Sequence, residues 1–149
     1  MMSEDRFDVR FDPDAEEEYN RLDGSVLSIV NKSIDELILR AAEVGKSLRN
    51  NSDTKLAGCR EIKLSDAGIR IVYRVTDQVV HVLRIVLVLT IERRNRDAAF
   101  KIAHSRMRTL RKLTKEESRK LHEKQKRWKD MIRVKGDPIK ANKHDLSKK

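Results

Sequence analysis

Cysteine is almost absent from this sequence: Cys59 stands alone, so no internal disulfide can form. No Cys/His spacing matches a zinc site, so a reducing cytosol, a cytoplasmic location and no structural metal are expected. Aromatic residues are scarce as well, with three Phe, two Tyr and one Trp. The longest apolar run, Ile85 to Leu89, falls far short of the ~20 residues that a membrane-spanning helix needs. Residues 1–5 are polar and acidic, so neither a signal peptide nor a membrane partner is expected. The usual hydrolase devices are missing too. There is no G-x-S-x-G, no Cys/His pair at a recognisable spacing and no glycine loop to cradle phosphate. The histidines (His81, His104, His122, His144) are scattered, and a lone one such as His81 reads as structural or solvated.

Charge, by contrast, is abundant. Charged residues make up 39% of the chain against 38% hydrophobic, which limits the core, and 149 residues suit one domain plus an appendage. The net charge of +10 is unevenly placed. Residues 1–44 hold 5 Lys/Arg against 12 Asp/Glu, residues 45–104 hold 12 against 6, and residues 105–149 hold 17 against 6. The front is acidic and the tail strongly basic. A polyanion is the natural partner of such a tail; the alternative is a merely solubilising one.

Periodicity gives the elements. Phe7, Val9 and Phe11 alternate with polar residues, as in a strand. Asp12-Pro13-Asp14 opens a helix to about Leu22, and Ser25 is placed to cap a second one carrying Val26, Ile29, Val30, Ile34, Leu37, Ile38 and Ala41. Residues 45–57 read as loop. Cys59–Ser65, Ile69–Thr76 and Val79 to about Ile91 read as strands, with turns at Asp66-Ala67-Gly68 and Asp77-Gln78. Helical spacing resumes at Arg96, and the Thr114–Glu117 capping box starts a last helix to about Arg133, ended by Gly136-Asp137-Pro138. The expected fold is α+β, a helical hairpin packed on a small antiparallel sheet (β-α-α-β-β-β), with a C-terminal helical extension. The expected division is a domain over 1–107, a basic helical extension over 108–135 and a flexible tail over 136–149.

Cationic side chains on strands are the candidate chemistry. Glu61 and Lys63 share one face of the first meander strand, and Arg70 and Arg74 one face of the second. Arg93, Arg94 and Arg96 cluster where the third runs out. Antiparallel pairing brings Lys63, Arg70 and Arg94 to one rim, with Glu61 nearby. Three cations there call for an anion, and guanidinium forks match phosphate oxygens. The alternative is ordinary strand-end charge facing water.

The run Cys59-Arg60-Glu61-Ile62-Lys63-Leu64-Ser65-Asp66-Ala67-Gly68-Ile69-Arg70-Ile71-Val72-Tyr73-Arg74-Val75 resembles the signature stretch of the RelE/ParE toxin superfamily. So do the Leu22–Val26 helix break and Arg93-Arg94-Asn95-Arg96 followed by Phe100, within a resemblance covering roughly residues 7–107. The superfamily comprises toxins of type II toxin–antitoxin pairs. Its RelE branch cleaves mRNA in the ribosomal A site, and its ParE branch inhibits DNA gyrase. The resemblance, closer to RelE, implies a ribosome-dependent, metal-independent mRNA endoribonuclease that needs no cofactor and inhibits translation. The implied partners are a cognate antitoxin, in a toxin–antitoxin hetero-oligomer, and mRNA and rRNA on the ribosome. It makes Lys63 a catalytic lysine, Arg70 the holder of the scissile phosphate and Arg94 a phosphate stabiliser or proton donor. Glu61 stands where RelE has another lysine and is a substitute base. Phe100 stands for a tyrosine and can stack a base without donating a hydrogen bond. Ile91 and Glu92 replace a glycine and a basic residue. Arg74, Arg93, Arg96 and Phe100 are expected RNA contacts. Arg119, Lys120, Lys124, Lys126, Arg127 and Lys129 are expected to meet rRNA backbone, unless Leu121 and Trp128 pack on the domain instead. The alternatives are a ParE-like gyrase inhibitor and a catalytically inactive member that binds nucleic acid.

Overall fold

The computed structural model describes residues 5–80 and 83–135. Along the chain run β1 (Phe7–Phe11), α1 (Pro13–Asn20), α2 (Gly24–Arg40), β2 (Lys46–Ser47), β3 (Cys59–Leu64) and β4 (Ile69–Val80). There follow β5 (Leu83–Glu92), α3 (Arg96–Arg111), α4 (Lys115–Lys124), β6 (Lys126–Arg127) and α5 (Trp128–Lys135). The strands form one sheet in the order β2-β3-β4-β5-β1-β6. The β3-β4-β5 meander is antiparallel, as expected. The sheet as a whole is mixed, because β1 lies parallel to β5 from Phe7↔Arg84 to Phe11↔Val88.

Local chemistry starts the helices. Asp12 accepts from Asp14 N at 2.9 Å ahead of Pro13, and α1 follows. Asp23, not Ser25, caps α2: its carboxylate accepts from Val26 N at 3.2 Å, and the Ser25 hydroxyl donates to it. Val30, Ile34 and Leu37 then recur on the buried side of α2.

Both faces of the sheet are covered. Phe7, Val9, Phe11, Ile71, Tyr73, Val86 and Val88 meet α1 and α2 in one apolar cluster. Cys59, Val72, Leu87 and Leu89 meet Ala99, Ala103 and Met107 of α3 in the other. The central strand β5 is therefore apolar in both directions, which its Ile85–Leu89 run reflects.

Three further expectations need correction. Asp77 and Gln78 form no turn; they lie within β4, where the register slips between Val75↔Val86 and Val79↔Arg84. The extra residues of an irregular strand carry the same polar composition as a turn. Residues 45–57 hold a short strand, since Lys46 and Ser47 pair with Glu61 and Arg60. The expected Thr114–Arg133 helix is broken: the capping box forms, but Gln125 turns extended, and Lys126 and Arg127 pair with Phe11 and Arg10 on the β1 edge.

Packing explains that break. Trp128 must reach the core, where its ring stacks on Phe11 at 6.0 Å and meets Tyr19 edge-on at 5.4 Å. Its indole N–H donates to Asp35 at 2.9 Å. A buried ionic group seals the seam beneath. Arg10 binds Asp8 at 2.9 Å and donates to His122 O, and Arg127 reaches Asp8 at 3.1 Å. The expected helix stop at Gly136-Asp137-Pro138, the tail over 136–149, His81 and His144 lie outside the described residues.

Candidate nucleic-acid cleft

The site is set by strand register. Lys63 lies opposite Arg70, and Arg70 lies opposite Glu92, so three strands present charged residues in one row. Glu61, opposite Val72, shares their face, the one that α3 partly covers. Gly68 makes this pairing possible. It closes the turn after Leu64 with φ +65°, a conformation that costs a glycine little. Behind the row, Gly45 packs against the backbone of Glu61, where an added Cβ would lie 2.6 Å from Glu61 O.

The expected excess of three cations is largely balanced from within. Arg70 Nη1 donates to Glu61 Oε2 at 2.9 Å, with Glu61 buried and Arg70 mostly so. Arg94 holds Glu92 with two bonds, Nε to Oε2 at 2.8 Å and Nη2 to Oε1 at 3.0 Å. The backbone N–H groups of Arg93 and Arg94 also point at Glu92, at 3.1 and 3.0 Å. The Arg94 hydrogen bond, supported by those N–H groups, pulls the Glu92 carboxyl down to about 2. Glu92 in turn makes Arg94 hold its proton more tightly. Lys63 is exposed and makes no ion pair among the described residues.

A half-buried buttress holds this row to the helices. Glu18 of α1 accepts from the Thr90 hydroxyl at 2.8 Å and from Ile91 N at 3.0 Å. Arg106 of α3 binds the same carboxylate at 2.9 Å and Leu89 O at 2.7 Å. One carboxylate thus joins α1, β5 and α3 next to Glu92. Sequence reading missed Glu18, Arg106 and the partnership of Glu92. The one visible signal was Glu92 two residues before Arg94, where the resemblance expects a basic residue.

These residues frame an open cleft of about 440 Å³ that includes Lys63, Arg70, Glu92, Arg93 and Arg94. Glu61 stands behind Arg70. Arg93 is exposed, 3.8 Å from Asp23. Arg96 lies over the Phe100 ring, 5.1 Å from its centroid, and Phe100 packs against the second apolar cluster. Arg74 is on the expected face but lines a different cleft, beside Met107. In the extension, Arg119 is held by Glu116 and Glu123, Arg127 by Asp8 and Lys129 by Asp5. Lys120, Lys124 and Lys126 are exposed and make no ion pair among the described residues. No described helix is long and apolar enough to cross a membrane.

Comparison with solved structures defines the fold. A free-state double mutant of the E. coli toxin RelE superposes with a TM-score of 0.52 at 24% identity, covering 71% of this chain and 98% of that one. The isolated E. coli RelE toxin gives 0.46 at 26% identity over 68% and 98% of the two chains. The RelBE2 toxin–antitoxin complex of Mycobacterium tuberculosis gives 0.47 at 26% over 62% and 95%. The assignment rests on the first: the chain has the RelE fold, with further residues of its own. No family model matches the sequence, and no curated protein matches it.

Proposed function

We propose that this chain is a RelE-type toxin of a type II toxin–antitoxin pair, a ribosome-dependent, metal-independent mRNA endoribonuclease that blocks translation. The observation that carries the reading is the row Lys63–Arg70–Glu92 with Arg94 beside it, all on one open cleft. Under this reading the cognate antitoxin is its protein partner, and mRNA and rRNA are its nucleic-acid partners. The resemblance over residues 7–107 and the RelE fold support it.

The chemistry uses the RNA itself as nucleophile. The 2′-OH attacks the adjacent phosphorus, the bond to the 5′-oxygen breaks, and the products end in a 2′,3′-cyclic phosphate and a 5′-OH. Orientation supplies much of the acceleration. Lys63, on the cleft wall with no ion pair among the described residues, acts as the base towards the 2′-OH. Arg70 clamps the non-bridging oxygens and stabilises their growing charge. Glu61, buried and bonded to Arg70, positions that guanidinium rather than meeting the 2′-OH. Arg94, whose proton Glu92 holds more tightly, acts as charge stabiliser rather than as acid, and water protonates the leaving oxygen.

A second reading is favoured by the two pairs Glu61–Arg70 and Glu92–Arg94. Carboxylates that already satisfy both arginines suit a nuclease-inactive member, binding nucleic acid or, like ParE, inhibiting DNA gyrase. Primer extension on cellular mRNA during induced expression separates the two. Cuts inside codons, lost in an Arg70→Ala/Arg94→Ala protein, support the nuclease. Growth arrest with uncut mRNA supports the second reading.

A further inference from the structure

A second cleft, of about 340 Å³, lies at the C-terminal end of α3, between β4, β5 and the start of α4. Arg74 anchors it. It stands four residues after Arg70 on β4 and on the same face, roughly 13 Å further along the strand. Of the other mostly buried arginines, Arg10, Arg70 and Arg106 have carboxylates in Asp8, Glu61 and Glu18, and Arg60 is held by the Val44 and Gly45 carbonyls. Arg74 has neither among the described residues. Its Nη1 meets the Met107 thioether instead, at 3.8 Å, a weak acceptor for a half-buried cation.

The surroundings fit an anion with an attached ring. Lys115 and Arg111 add positive charge, and Arg111 is fixed by its bond to Lys55 O at 2.6 Å. The lining's one carboxylate, Asp77, is exposed and lies 3.9 Å from Arg84. Leu110 and Leu113 supply an apolar wall. Gln78 Nε2 donates to Lys115 O at 3.3 Å, which orients the amide and leaves Oε1 as the other end. That oxygen is buried and has no partner among the described residues. A buried acceptor without a donor is costly, and a donor carried by a ligand would remove that cost.

We infer that this cleft binds a nucleoside phosphate, with phosphate oxygens on Arg74 and Lys115, the base against Leu110 and Leu113, and an exocyclic amino group donating to Gln78 Oε1. Cytosine carries such an amino group, and uracil has a carbonyl in its place. The nucleotide comes either free or as one residue of a bound RNA strand. The inference holds whether or not the first cleft cleaves RNA.

The test titrates the full chain, followed by NMR at the Gln78 side-chain amide and the Ser118 backbone amide, with CMP, UMP and inorganic phosphate. CMP shifts both signals, UMP binds about tenfold more weakly for want of one hydrogen bond, and phosphate more weakly still. Arg74→Gln lowers CMP affinity at least about tenfold, as does Ser118→Glu, which sets a carboxylate in the cleft from a second position. The CMP affinity read at Gln78 is unchanged by Arg70→Ala, which acts on the first cleft. A 2′-O-methylated pentaribonucleotide identifies the source. Tighter binding than CMP, weakened by Arg70→Ala, points to one strand spanning both clefts; equal binding, indifferent to Arg70→Ala, points to a free nucleotide. Equal CMP and UMP affinities, phosphate binding as well as CMP, no shift at Gln78, or full binding by both variants overturns the inference.

Discussion

Arg94 and Glu92 are joined by two hydrogen bonds, of 2.8 and 3.0 Å, at the mouth of the cleft. The pair Arg70–Glu61, at 2.9 Å, repeats the arrangement on the neighbouring strands. Under the proposed function, an incoming phosphate meets arginines whose positions are fixed by carboxylates and whose charge is partly cancelled. Fixing an arginine favours orientation, and cancelling its charge weakens affinity.

Freeing Arg94 raises affinity. Glu92→Gln removes one negative charge and keeps the shape of the side chain. Binding to single-stranded RNA tightens, and the dependence of log affinity on log salt steepens by about 0.7 for each further phosphate that the protein neutralises. Fluorescence anisotropy across a salt series reads both changes. An unchanged slope means that Arg94 does not meet phosphate.

Under the proposed function, truncating Arg70 removes the phosphate clamp. Arg70→Ala lowers single-turnover cleavage by ~10²–10³, the cost of losing one such stabiliser. Arg70→Lys recovers only part, because an ammonium lacks the two-pronged fork. Equal rates for Arg70→Lys and the wild-type protein would remove Arg70 from the transition state.

Acid weakens the site in a defined window. Arg94 and the backbone N–H groups hold the Glu92 carboxyl at about 2, below its ordinary value of 4.5. A depressed carboxyl adds stability that is complete above 4.5 and fades as the pH falls towards 2. Urea unfolding between pH 5 and about 2 detects this loss, and Glu92→Gln shows less of it. A variant as acid-sensitive as the wild type would place the titrating group elsewhere.

The extension divides into a structural and a surface part. Trp128→Ala empties a site between Phe11, Tyr19 and Asp35 and costs about 3–5 kcal/mol of stability in chemical unfolding. Alanine at Lys120, Lys124 and Lys126 together leaves stability unchanged and flattens the salt dependence of ribosome binding by up to about 3 on the log–log slope. Arg119→Ala, whose guanidinium is committed to Glu116 and Glu123, changes that slope little. A larger effect from Arg119 than from the three lysines would reverse the division.

What the sequence revealed followed local rules. Alternation at Phe7–Phe11 and Ile69–Val75, the Asp66–Gly68 turn and the Thr114–Glu117 capping box each involve residues close in the chain, and each formed. The site row was legible for the same reason, since Gly68 fixes Lys63 opposite Arg70 across a short turn. What stayed hidden depends on long-range partners. The parallel pairing of β1 with β5 and the Glu18–Arg106 buttress join residues with no local signal of their meeting, and the sparse apolar stripe of the extension offers Trp128 for docking on the domain without naming Phe11 as its partner. The charge balance failed for a related reason. Counting cations at a rim took no account of Glu92, which became Arg94's partner only through the backbone path between Glu92 and Asn95.

The most direct test of the proposed nuclease activity adds the purified protein to ribosomes translating a defined mRNA and reads the ends of the fragments. Cleavage within codons, leaving 2′,3′-cyclic phosphate and 5′-hydroxyl termini and falling by at least ~10² in the Arg70→Ala/Arg94→Ala protein, is the predicted result. Intact mRNA, 5′-phosphate termini, or undiminished cutting by the double variant would contradict it.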